Sequence, residues 1–159
     1  MKKLLLIPLL FALVFTSCKD DDEEEFIPPV SDIDATMRGE WINTQIKRVY
    51  YSIDDEVMFE DSVQYQTAFR FDGKRVTISV PGNANPEVLT YRFPDPNDPN
   101  IIEVQQGSLT GRYKIQNFSN SEMYWVEEKE WAGFPEGAPD DQKTTSRLGV
   151  FTWKFDRKQ

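Results

Sequence analysis

The chain has no histidine and a single cysteine among its 159 residues. Without imidazole there is no Ser-His-Asp triad, no Cys-His pair, no His-ligated zinc and no proton shuttle titrating near neutrality. A lone thiol makes no internal disulfide and no cysteine-rich metal site. Basic residues are also in the minority, 18 against 27 acidic ones, for a net charge of −9. That balance counts against a nucleic-acid partner, since phosphate calls for a basic face. Helical periodicity is scarce. The one long apolar run, residues 4–15, falls short of the roughly 20 residues that a membrane-spanning helix needs. The length suits one ordinary domain.

What is present begins at the N-terminus. Met1-Lys2-Lys3 is basic, residues 4–15 are apolar, and Thr16-Ser17 are small residues directly before Cys18. The pattern reads as a signal peptide over residues 1–17, removed from the mature chain. The placement of the sole cysteine resembles the lipobox of bacterial lipoproteins, although Phe15 and Ser17 stand where that family prefers Leu and Gly or Ala. The resemblance implies that Cys18 is lipidated and becomes the new N-terminus, with the membrane as partner. Lys19 and six consecutive acids, Asp20 to Glu25, come next. Like charge repels itself, so this is a solvated tether. It also resembles the acidic export tag of surface lipoproteins in certain Gram-negative bacteria, which implies an outer-membrane lipoprotein displayed at the cell surface; the other orientation faces the periplasm. Residues 26–30 continue as a proline-stiffened linker, completing a segment 18–30. Losing Lys2 and Lys3 with the leader takes the net charge to −11, and setting the tag aside brings the domain to −6. Much of the acidity is tether.

The domain, residues 31–159, is long enough for a single core. Ser31 is placed to cap a short helix with Ile33 and Met37 on one face and Asp34 at the capping-box position. Apolar residues then alternate with polar ones, and turn residues separate the runs. Eight strands are expected, over residues 41–53, 62–71, 76–80, 88–93, 101–106, 109–118, 122–130 and 147–156. Asp72-Gly73 is a strong hairpin turn. Pro94, Pro96 and Pro99 exclude a strand between residues 94 and 100. Eight sequential strands favour an all-β fold, an antiparallel up-and-down barrel closed to remove exposed edges, with a two-sheet β-sandwich as the alternative.

Gly39-Glu40-Trp41, after a short helix and at the head of the first strand, resembles the Gly-x-Trp signature of lipocalins. Gly111-Arg112-Tyr113-Lys114-Ile115 with Met123-Tyr124-Trp125-Val126 is similar to a run found in lipocalin-like domains of bacterial lipoproteins. The resemblance implies that a basic residue late in the last strand packs over Trp41. Arg157 is the candidate, because an antiparallel closing strand ends beside the start of the first; Lys154 is second. The role of Gly39, Trp41 and Arg157 would be structural, through a cation–π contact.

In a meander, alternate connections lie at one end. The odd ones, residues 54–61, 81–87, 107–108 and 131–146, form the expected open mouth, and the helix plugs the opposite end. Asp54-Asp55-Glu56, Trp131 and Phe134 sit at that mouth. Tyr65, Phe69, Tyr91, Tyr113 and Trp125 are candidates for lining a ligand pocket of at least a few hundred Å³. Turn chemistry accounts for the oxygen-bearing side chains of Asp95, Asn97, Asp98 and Asn100, whose spacing is not that of a calcium loop. Asp61-Ser62-Val63 is similar to a bacterial O-glycosylation sequon. No pair of carboxylates stands out for glycoside hydrolysis. No cofactor, metal or catalytic residue is indicated. The expected function is non-enzymatic: a lipocalin-like envelope lipoprotein binding a small apolar or amphipathic ligand, or else a surface module whose long loops bind glycan or protein.

Overall fold

The computed structural model describes residues 30–133 and 145–159. Helix α1 (Val30–Met37) leads into eight strands: β1 (Gly39–Tyr51), β2 (Val57–Phe71), β3 (Arg75–Ser79), β4 (Glu87–Arg92), β5 (Ile101–Gln106), β6 (Leu109–Gln116), β7 (Glu122–Gly133) and β8 (Ser146–Arg157). Each strand pairs with its neighbours in sequence, and β8 returns antiparallel to β1, so the sheet is a closed up-and-down barrel. The sandwich is excluded. Among the described residues, no helix is long and apolar enough to cross a membrane.

Helix α1 plugs the even end. Ile33 and Met37, four residues apart and therefore on one helical face, are fully buried beneath the barrel with Trp41. Asp34, expected at the capping-box position, takes a different role. The helix already includes Val30, which places Ser31 inside its first turn, and the Asp34 carboxylate is engaged elsewhere. It accepts from the Tyr91 hydroxyl at 2.8 Å and from Arg38 Nη2 at 2.7 Å, fastening the helix to β4.

The Gly-x-Trp signature closes the barrel. Trp41 on β1 pairs with Arg157 on β8, and the Arg157 guanidinium carbon lies 5.0 Å from the Trp41 ring centroid. Arg157 Nη1 donates to the Thr36 carbonyl at 2.7 Å, and the Trp41 indole N–H donates to the Met37 carbonyl at 2.8 Å. Both bonds satisfy orphan carbonyls at the helix C-terminus. Gly39 has φ +118°, a conformation open to glycine, and a Cβ there would come within 3.1 Å of Arg157 Nη2. Lys154 is not the stacking residue: it pairs with Glu122 at 3.0 Å on the barrel exterior.

A bulge in β1 sets which residues face inward. Asn43 pairs with Phe155 and Gln45 with Lys154, so β1 carries one extra residue, Thr44, at this point. Trp41 and Asn43 point inward below it, and Ile46, Arg48 and Tyr50 above it. The buried Asn43 side chain fills the irregularity by donating to the carbonyls of Gln45 at 3.1 Å and Lys154 at 2.9 Å.

Two boundaries depart from expectation. Strand β2 begins at Val57, because residues 57–64 pair along the whole upper part of β1. The acids Glu60 and Asp61 are accommodated in that strand by Lys47 and Arg48, which face them across the ladder. The first odd connection therefore shrinks to residues 52–56. Strand β7 continues through Trp131 to Gly133 by way of a register shift after Glu130, and Trp131 takes φ +52° there.

Candidate functional site

The barrel interior is layered. At the plugged end Ile33, Met37, Trp41, Phe71, Tyr91, Ile102, Ile115 and Met123 pack into one continuous buried cluster. Nearer the odd connections lies a cavity of about 140 Å³ lined by Phe69, Val76, Ile78, Leu89, Val104, Tyr113, Trp125, Trp153 and Phe155. Seven of the eight strands contribute at least one of these side chains, because each strand presents every second residue to the interior. β1 contributes none.

The aromatic walls hold one another in place. Phe155 meets Phe69 edge-on at 5.0 Å and Trp125 at 5.0 Å, while Tyr113 lies 5.2 Å from Trp125 and edge-on to Trp153 at 5.3 Å. Such pairs each contribute about 0.5–1.5 kcal/mol beyond area burial and fix ring orientation. The Tyr113 ring lies over Gly111, where a Cβ would come within 2.6 Å of the phenol oxygen. A glycine two residues earlier thus lets Tyr113 fold flat along its own strand. Burial, and then the nearby negative charge of Glu127, push the Tyr113 phenol above its ordinary range, so it stays protonated at neutral pH.

Of the residues singled out from the sequence, Phe69, Tyr113 and Trp125 line this cavity together. Tyr91 does not. It is buried one layer lower, where Leu89 two residues earlier takes the cavity position, and desolvation followed by the Asp34 hydrogen bond raises its phenol pKa. Tyr65 is also outside the lining and is 40% exposed. Strand β3 pairs with β2 only along residues 68–71, so Tyr65 has no neighbouring strand on its outer side among the described residues. Trp131 is 61% exposed at the end of β7. Phe134 and Cys18 lie outside the described residues.

No family model matches the chain, and neither does any curated protein or solved structure.

Above the cavity, the inward faces of β1, β2, β7 and β8 mix charged and aromatic side chains. Arg48 Nε donates to Asp61 Oδ1 at 2.8 Å in a partly buried ion pair. Lys129 stands 5.2 Å over the Phe151 ring and pairs with Glu127 at 3.0 Å. Tyr50 packs between Phe59 and Phe151, at 6.2 and 5.7 Å. The acids of the first odd connection build its turn: Ser52 Oγ accepts from the amides of Asp54 and Glu56, and Asp55 pairs with Arg147. At the even end, Asp95 and Asp98 accept from the amides of Asn97 and Asn100, as turn chemistry requires.

Trp153 and Phe155 are wall residues that the sequence reading does not single out, although their alternation with Phe151 puts all three on one face. The deciding information is the register, which sets them opposite Trp125 and Met123.

Proposed function

We propose that the chain is a non-enzymatic, lipid-anchored binding module of the cell envelope with a lipocalin-like barrel, taking the end of a small apolar or amphipathic ligand. The observation that carries this reading is the aromatic cavity of about 140 Å³ set above a sealed floor. Its size corrects the sequence-based expectation of a few hundred Å³. The aromatic side chains Phe69, Tyr113, Trp125, Trp153 and Phe155 fill much of the interior, leaving space for a ring or a short chain end. The rest of a longer ligand would lie among Tyr50, Phe59 and Phe151. The triad Gly39, Trp41 and Arg157 supports the lipocalin-like reading through the seam it forms. The leader, Cys18 and the acidic run after it support an outer-membrane anchor facing the cell surface.

Native mass spectrometry of the mature chain tests the binding reading: a co-purifying small molecule is expected, lost when Phe69 is enlarged to Trp to fill the cavity. A protein that carries no ligand and takes up none from apolar fragment mixtures would overturn it. Replacing Cys18 with Ser should release the chain from the membrane fraction, and protease shaving of whole cells reads the leaflet. The exposure of Trp131 favours a second reading, a surface module that binds glycan or protein through its odd connections. Binding that persists in a folded Trp131→Ala, Phe134→Ala variant would remove it.

A further inference from the structure

Above the cavity the long strands end in two edges. Strand β3 covers β2 only along residues 68–71, and β6 covers β7 only along residues 124–126. Among the described residues, no strand lies beyond β2 over residues 57–67 or beyond β7 over residues 127–133. An uncovered strand presents a row of backbone N–H and C=O groups, which natural proteins guard with charges, proline or bulges.

The two edges are guarded differently. β7 carries Glu127, Glu128, Lys129 and Glu130 in succession, then the register shift and the positive φ of Trp131. Charge and irregularity of this kind repel a further strand. β2 has no lysine and no proline, and Phe59 to Gln64 keep an unbroken register with β1. Its acids there are neutralised from within the sheet, Glu60 by Lys47 at 2.8 Å and Asp61 by Arg48. Ser62, Val63, Gln64, Tyr65 and Gln66 are all exposed, a run that alternation alone would not produce in a covered strand.

We infer that the β2 edge is an interface for a second copy of this chain, the two β2 strands pairing antiparallel about Ser62. Length and symmetry support that occupant. Residues 57–67 run from the start of β2 to the last position before β3 covers it, and Ser62 is their midpoint. A two-fold axis at Ser62 therefore lays each uncovered run along the whole of the other and clears both β3 strands. Charge fits as well. Glu60 falls opposite Gln64 of the second copy and Asp61 opposite its Val63, so no acid meets an acid directly across the pair. Phe59 falls opposite Tyr65 of the second copy, an aromatic cross-strand pair. The two plugged ends then lie at opposite ends of the dimer. Residues 18–29 reach about 40 Å when extended, roughly the length of β1, so both anchors can meet one membrane.

Sedimentation velocity on the mature chain carrying Cys18→Ser tests the pairing, and cross-linking fixes its register. The chain should pass from monomer to dimer between low and high micromolar concentration, as suits a small interface. Ser62→Cys places a thiol on the axis and should give a covalent dimer under mild oxidation. Gln66→Cys, equally exposed, lies about 26 Å from its own counterpart in this register and should not. Gln64→Glu faces Glu60 of the second copy, twice by symmetry, and should raise the dissociation constant about fivefold; Gln64→Lys should lower it about as much. A chain that stays monomeric at high concentration overturns the proposal, even where a foreign extended peptide adds to the same edge. So does a dimer in which Gln66→Cys links as readily as Ser62→Cys. Should Ser62→Cys not fold, the two Gln64 variants decide, and equal responses from them count against the pairing.

Discussion

The barrel has two unequal halves. Strands β7, β8, β1 and β2 run for 12, 12, 13 and 15 residues, whereas β3, β4, β5 and β6 have 5, 6, 6 and 8. The short half closes the cavity with Val76, Ile78, Leu89 and Val104 and stops there. The long half continues above it, carrying the Arg48–Asp61 pair and the Tyr50, Phe59 and Phe151 rings. Proline explains much of the difference. Five prolines, at 81, 86, 94, 96 and 99, fall between β3 and β5, and none lies within the four long strands. Each lacks a ladder donor and resists extension of a strand. The lesson is a division of labour: one half supplies the seam and the extended face, and the other the wall that makes the interior a container.

The largest effect that would break this contrast belongs to the seam. Trp41→Ala removes a fully buried ring, its hydrogen bond and its cation–π contact, and should cost roughly 3–5 kcal/mol in denaturant unfolding. Hydrogen exchange on the wild type should place the β1 and β8 amides at the global limit and those of β4 and β5 below it. β4 and β5 pair only along residues 90–92 and 103–105. Equal protection in both halves would dissolve the distinction. A smaller loss is expected for Gly39→Ala, about 1–3 kcal/mol, because a side chain at φ +118° is strained and crowds Arg157. The smallest effect concerns the link between helix and short half. The Tyr91 phenol is raised in the folded state, so its contribution is fully present below the unfolded tyrosine pKa of about 10 and is lost as pH rises beyond it. Unfolding midpoints should therefore fall on the alkaline side in the wild-type chain and fall less steeply in Tyr91→Phe.

Strand count, the helical plug and the closing pair are legible in the sequence. Alternation alone separates Phe69 and Phe71 from Arg70, and Asp72-Gly73 marks its turn without ambiguity. The seam is legible because three signals, a helix, Gly39-Glu40-Trp41 and a basic residue at the other end, agree with one topology. The cavity is legible only in part, for a physical reason. Which inward residues meet at one height depends on stagger between strands, and the extra residue at Thr44 shifts β1 in a way no local pattern announces. Tyr65 and Tyr91 fall outside the lining for that reason, one too high and one too low. Trp125 is legible as a wall residue, but its buried N–H, without an acceptor among the described residues, is a property of the assembled neighbours and is invisible in the chain.

The seam also imposes an order of events. Arg157 donates to the carbonyl of Thr36, 121 residues away in sequence. A partly synthesised chain can form the β1–β2 hairpin and each later hairpin in turn, but it has no partner for the outer edge of β1 until the last strand exists. Closure is thus the final and most non-local step, the kind that slows folding most. Until then the growing sheet has two open edges, and the molecule acquires an inside only when its two ends meet.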